Sequence, residues 1–134
     1  MSLENGANDF IEYKVQNKDL AKNLEISPDD NFPPVFATAR LTALMECSAA
    51  KVMKPLLEDG KLSVGVEVNL KHLAPTLEGD IVKSTATFVG MEGKLYKFEI
   101  EAEDSAGVVG TCVHTRAIVD ESRLMAGANK RVEA

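Results

Sequence analysis

Three side chains of this 134-residue sequence have types and settings suited to moving a proton: Glu46, His72 and Thr38. Glu46 lies in a helical run with no basic residue three or four positions away, so no local ion pair accounts for it. It falls on a face of small residues, among Ala39, Thr42, Ala43, Ala50 and Met53. A carboxylate on the small-residue face of a packed helix is costly to desolvate unless something holds it. It is either a helix-edge acid reaching solvent or a distant base, or an acid whose charge is kept for reaction. His72 continues the parity of Leu62, Val64, Val66, Val68 and Leu70. Its ring is expected on the face of that apolar row, either as a satisfied structural histidine or as an imidazole aimed at the helix and titrating near neutral pH. Thr38 opens the helix after two prolines. Its hydroxyl either caps the helix or orients a water or a substrate carbonyl; with Leu41 three residues on, there is no capping box.

Two further features sit on the neighbouring strands. Gly65 is the one residue without a side chain on the polar face of its strand. That marks either a bend or bulge, or a place where a ligand approaches a bare backbone N–H. Cys112, His114 and Arg116 share one face of the last strand. A strand-interior arginine is a salt-bridge partner or a holder of a polar ligand group.

The elements that must position these groups are readable from periodicity. Phe10–Val15 reads as a strand, and Gln16–Asn31 as polar loop. Pro33-Pro34 exclude helix just before them, so the helix starts afterwards and runs from Thr38 to about Leu57. Its apolar stripe is Leu41, Leu44, Met45, Ser48, Val52 and Leu56. Because the helix is apolar or small over most of its circumference, it is expected to be buried. After the turn at Glu58-Asp59-Gly60-Lys61 come four strands. They are Leu62–Leu70, whose alternation is unbroken; Ile81–Val89, ending in a turn at Gly90-Met91-Glu92-Gly93; a strand through Tyr96, Phe98, Ile100 and Ala102; and Val108–Val119. A short helical turn at Ser122–Ala128 and a frayed tail at Asn129–Ala134 complete the chain.

One strand, one long helix and four strands joined by short turns imply an α+β domain with an antiparallel sheet wrapped around a single helix. This is the hotdog arrangement: a strongly curved antiparallel sheet around one long buried helix, filling one domain of 134 residues with an ordered core of about 10–120. Such a sheet is expected to pair with a second copy as a homodimer.

Composition narrows the function classes. Charged residues make up 27% and hydrophobic residues 45%, an ordinary globular balance. The net charge of −6 argues against a nucleic-acid partner, which needs a basic face. No apolar run reaches the roughly 20 residues that cross a bilayer, and Met1–Asp9 lacks the apolar segment of a signal peptide. No membrane partner and a cytoplasmic location are therefore expected. Cys47 and Cys112 form no CxxC or zinc spacing and read as small buried residues, so no metal is expected. There is no Gly-rich phosphate loop, GxSxG, HExxH or dinucleotide fingerprint.

Five segments carry a resemblance: Phe32-Pro33-Pro34-Val35-Phe36-Ala37-Thr38-Ala39, Leu44-Met45-Glu46, Ser63-Val64-Gly65, His72-Leu73-Ala74-Pro75-Thr76 and His114-Thr115-Arg116-Ala117. Together they resemble the fluoroacetyl-CoA thioesterase-like branch of the hotdog thioesterases, over about Phe10 to Asp120. The resemblance implies hydrolysis of an acyl-CoA thioester to free acid and coenzyme A, with coenzyme A as part of the substrate and no separate cofactor. It implies Thr38, Glu46 and His72 as the catalytic group and Gly65 and Arg116 at the substrate pocket. Glu46 would be base or nucleophile, His72 would orient or protonate, and the Gly65 N–H is a candidate oxyanion donor. Lys51, Lys54, Lys71 and Arg116 are candidates for the coenzyme A phosphates. The acyl group stays open: fluoroacetyl, acetyl or a longer chain. The alternatives are a hotdog module that binds acyl-CoA or a small acid without turnover, and a hydratase, whose Asp/His pair is not evident here.

Overall fold

Five strands and two helices form the chain in a computed structural model that describes residues 2–133. Met1 and Ala134, the last residue of the expected tail, lie outside the described residues. The strands are β1 (Asn8–Lys14), β2 (Lys61–His72), β3 (Ile81–Glu92), β4 (Leu95–Asp104) and β5 (Gly107–Asp120). The helices are α1 (Thr38–Met53) and α2 (Glu121–Glu133). All pairings are antiparallel, and the spatial order is β1-β3-β4-β5-β2. The sheet curls around α1 as a half-barrel, the hotdog fold expected from the element order.

Pro33 and Pro34 keep the chain extended up to Ala37, and α1 begins at Thr38. It ends earlier than its apolar stripe suggests. Pro55 has no N–H to donate, so the last turn tightens into a 3-10 segment at Lys54–Leu56. The buried side of α1 is Leu41, Leu44, Met45, Ser48, Ala49, Val52 and Met53. It meets Phe36, Val82, Phe98 and Ile100 in the core, where each fully buried large side chain contributes roughly 1.5–3 kcal/mol. One polar pair sits within this core: Ser48 donates to the Met45 carbonyl (2.8 Å) and its oxygen lies 2.9 Å from Ser84 Oγ.

The expected burial of α1 holds on its apolar side and fails on its small-residue side. Ala39 and Cys47 are exposed, and Ala43, Glu46 and Ala50 only half-buried. The half-barrel leaves the small-residue face of α1 open between its edge strands. Cys47 is therefore exposed while Cys112 is buried.

The unbroken alternation of β2 conceals a bulge. Gly65 pairs with Arg116 and Glu67 with Thr115, which leaves Val66 as the extra residue. The two ends of the strand therefore turn opposite parities toward α1. Gly65 faces the helix before the bulge. After it, Val68, Leu70 and His72 share the parity of their inward partners, His114, Cys112 and Gly110. A single apolar row from Leu62 to His72 is thus corrected to two half-rows: Leu62, Val66 and Val68 remain exposed at the sheet edge.

Two other differences are local. Gly90, expected in a turn, lies in a second bulge within β3 at φ 128°; the hairpin turns instead at Gly93, φ 64°. The short turn expected at Ser122–Ala128 is a thirteen-residue helix. Asp120 Oδ1 accepts the Arg123 N–H at 3.0 Å, a side-chain cap. Lys130 and Arg131 sit favourably in the last turn. Among the described residues no helix is long and apolar enough to cross a membrane.

Candidate active site

The first turn of α1 and the last residue of β2 meet at one end of the half-barrel. Thr38 Oγ1 lies 2.7 Å from His72 Nδ1. Thr38 is the first helical residue and caps nothing: the cap position is Ala37, with no side-chain bond. The hydroxyl is instead spent on the imidazole. His72 Nε2 is buried and has no hydrogen-bond partner. Burial also pulls the His72 pKa below its usual value, the Ala74 backbone opposing. Near neutral pH the ring is therefore uncharged. It can donate at Nε2 while Thr38 donates to Nδ1, or accept there if Nδ1 carries the proton.

A cleft of about 500 Å³ opens beside this pair. Leu24, Phe32, Val35, Leu73 and Pro75 give it apolar walls, and Thr38 and His72 are its polar members. The wall from Ala21 to Phe36 is tied down by a residue that sequence reasoning missed. Asp19 is fully buried. Its carboxylate accepts from Tyr13 Oη (2.6 Å), the Gln16 N–H (2.8 Å) and Arg40 Nε (2.8 Å), and its carbonyl accepts the Ala37 N–H at 2.9 Å. Asp19 thus joins the loop to the start of α1. Burial pushes its pKa up, but the bonds from Tyr13, Gln16 and Arg40 together carry it below the usual value. Its position in a polar loop offered no periodic signal.

Glu46 stands elsewhere. It is eight residues beyond Thr38, about 12 Å along the helix axis, and is bonded to neither Thr38 nor His72. Its carboxylate is against Gly65: a Cβ built there would lie 2.2 Å from Glu46 Oε1. Arg116 Nη1 is 3.8 Å away, the distant base that the helix itself lacks. Arg116 is buried, and it donates from Nε to Ser63 Oγ (3.1 Å), from Nη2 to the Ser63 carbonyl (2.9 Å) and from Nη1 to His114 Nε2 (3.1 Å). Its guanidinium is held inside the fold, so it is not placed for the phosphates of a large ligand. Burial lowers its pKa, Glu46 opposing, but an arginine stays cationic. Lys51 is likewise engaged, with Asp9 (3.4 Å) and the Phe10 carbonyl (3.0 Å); Lys54 and Lys71 are exposed. Within one chain the five candidate residues therefore form two groups, Thr38–His72 and Glu46–Gly65–Arg116. Among the described residues no group of three or more His, Cys, Asp or Glu is arranged to hold a metal.

This geometry has relatives. Residues 15–122 match the family model described as fluoroacetyl-CoA-specific thioesterase. The chain belongs to that family. A fluoroacetyl-CoA thioesterase from Streptantibioticus cattleyicolor is 32% identical over 103 residues, covering 77% of this chain and 74% of that protein. A solved fluoroacetyl-CoA thioesterase superposes with a TM-score of 0.92 at 28% identity, covering 97% of this chain and 98% of the other. A phenylalanine-to-alanine variant of the fluoroacetyl-CoA-specific thioesterase, in complex with fluoroacetate and CoA, superposes at 0.86 and 28% identity over 91% and 99%. As a member of the fluoroacetyl-CoA-specific thioesterase family the protein is a thioester hydrolase of hotdog fold, and the reading as a non-catalytic binding module is not favoured.

Proposed function

We propose that this thioesterase hydrolyses small or short-chain acyl-CoA, with Thr38, Glu46 and His72 as its catalytic group, at a site completed by a second copy of the chain. The observation that carries this reading is the Thr38–His72 pair with its unpartnered Nε2 beside an apolar cleft.

The edge strand supports the dimer. β2 has one neighbour, β5, so its other edge is unpaired, and Gly65–Asn69 is exposed along its middle. Exposed edges pair readily with another strand. An antiparallel pairing of two β2 strands centred between Val68 and Asn69 sets Gly65 of one chain opposite His72 of the other. Directly paired residues share a sheet face. Glu46, already against Gly65, would then stand by the partner's Thr38–His72 pair. The alternative, one site per isolated chain, must bridge about 12 Å of helix.

At such a site the Glu46 carboxylate takes a proton from water, or adds directly to the thioester carbon. The carbon–oxygen bond forms as the carbonyl pair moves to oxygen. Collapse breaks the carbon–sulfur bond. On the first route the departing thiolate takes the proton that Glu46 took from water. On the second the thiolate leaves and water then hydrolyses the Glu46 anhydride to free acid and carboxylate. The neutral His72 ring only donates a hydrogen bond from Nε2. Thr38, donating to Nδ1, keeps Nε2 as the protonated nitrogen. The two cysteines are unpaired, which suits a reducing compartment, and we assign the protein to the cytoplasm.

The test is thiol release on a panel of acyl-CoAs. Glu46→Gln and His72→Ala are each expected to lose at least about a hundredfold in kcat/KM while staying folded. Mixing the two inactive variants through a dissociation step is expected to restore about a quarter of wild-type sites, because a symmetric heterodimer then holds one intact site. Full activity in both single variants refutes the assignment of this group. Inactive singles with no recovery on mixing refute the shared site.

A further inference from the structure

His114 is buried, with 1% exposure, and both ring nitrogens are committed. Its Nδ1 lies 2.7 Å from the Glu67 carbonyl and its Nε2 lies 3.1 Å from Arg116 Nη1. A carbonyl only accepts and a guanidinium only donates. The ring must therefore carry its proton on Nδ1 and present a lone pair at Nε2. The same ring braces the β2 bulge: a Cβ at Gly65 would lie 3.2 Å from His114 Cε1, and Glu67 follows the bulged residue.

Of the two N–H groups on Arg116 Nη1, one is anchored on His114 Nε2 at 3.1 Å, and Glu46 Oε1 lies 3.8 Å away, beyond hydrogen-bond distance. Ser63 fixes the rest of the fork. An unopposed guanidinium closes on a carboxylate with two parallel hydrogen bonds, and a carboxylate held that way has two of its four lone-pair sites occupied and is a weaker base and nucleophile. We propose that His114 is a positioning residue for Glu46: as an obligate neutral acceptor it holds Arg116 back, so that the guanidinium steadies the carboxylate without closing on it. This rests on the reading of Glu46 as the reacting acid. Protonation of His114 would place an N–H donor and a second positive charge against Arg116. Burial, with Arg116 adding to it, keeps the ring from charging near neutral pH; the Glu67 carbonyl and Glu46 oppose.

Two measurements test the inference. The sequence has two histidines, so nitrogen-15 spectra of the wild type and a His72→Asn variant isolate His114. The expected signature is a neutral ring protonated on Nδ1 that does not titrate between about pH 6 and 8. In steady-state assays His114→Leu, which offers Arg116 no acceptor, is expected to lower kcat at least about tenfold with KM changed less than about threefold. His114→Gln, whose amide oxygen can accept from Nη1, is expected to recover much of that loss. A ring protonated on Nε2, or an imidazolium, in the wild-type spectrum overturns the proposal whatever the variants do. So does a folded His114→Leu protein with undiminished kcat while Glu46→Gln is inactive. A fully active Glu46→Gln enzyme would instead remove the underlying reading of Glu46.

Discussion

Thr38 Oγ1 and His72 Nδ1 meet at 2.7 Å although 34 positions separate them in the chain. One is set by the start of a helix, the other by the end of an edge strand. The contact is a tertiary one, and it leaves His72 Nε2 buried without a partner in a residue that lines the cleft. Where the hydroxyl donates to Nδ1, Nε2 is the protonated nitrogen and donates; where Nδ1 carries the proton, Nε2 accepts, so the pair couples the hydroxyl to the tautomer of the ring.

Removing that hydroxyl should release the tautomer without opening the core, because Thr38 is exposed. Thr38→Val is expected to lower kcat by roughly ten- to a hundredfold, within the range of acid–base contributions, and to leave the thermal midpoint nearly unchanged. Thr38→Ser, which keeps the hydroxyl, should retain most of the activity. Equal losses in both variants would show that the hydroxyl is not what matters.

Gly65 is required for space rather than for backbone freedom, since its φ is not positive. A Cβ would lie 2.2 Å from Glu46 Oε1 and 3.2 Å from His114 Cε1. Gly65→Ala must therefore push the carboxylate out of place. We expect at least about a tenfold loss of kcat, since small misplacements at a reacting centre are costly, with little change in secondary structure by circular dichroism. A fully active alanine variant would contradict the close packing of Glu46 on this strand.

Asp19 accepts three side-chain or backbone bonds at full burial. Asp19→Asn keeps the shape but removes the charge, and is expected to cost about 2 kcal/mol in urea unfolding, the worth of bonds to a charged group. Its folded pKa is lowered, so the native state holds its proton less tightly than the unfolded chain. The stabilisation is complete above the unfolded value near 4 and is lost as pH falls through the lower folded value. The asparagine variant should show a flatter loss of stability in acid than the wild type.

Both histidines have lowered pKa values, with burial as the main cause. The unfolded chain takes up protons near about pH 6.5, whereas the native state does so only at lower pH. Between those values the unfolded state binds more protons, so stability must fall as pH drops below about 6.5. Urea midpoints at about pH 7.5 and about pH 5.5 should differ in that direction, and His114→Gln should shrink the difference. A midpoint that rises on acidification across this window would contradict neutral burial of the two rings.

Local chemistry made much of this protein legible from its residues alone. Pro33-Pro34 dictate where α1 begins, because the residue before a proline avoids helical geometry. Two-residue alternation marks the long strands, and short turns between them impose antiparallel neighbours. Glu46, isolated from any local base, and His72 at the end of an apolar row stand out by type and place. The remainder depended on the folded chain. An unbroken alternation from Leu62 to Leu70 is indistinguishable from a bulged one, since one looped-out residue changes the facing and not the order of residue types. The bulge at Val66 turns Gly65 inward against Glu46 and keeps His72 aimed at Thr38. Asp19 gave no sign of burial because its three partners come from a strand, a loop and a helix. Cys47 and the small-residue side of α1 are open because a half-barrel of five strands cannot close around a helix. Residue types announce which groups can react; which of them meet depends on how far apart the fold sets them, and here that is a helix length of about 12 Å within one chain.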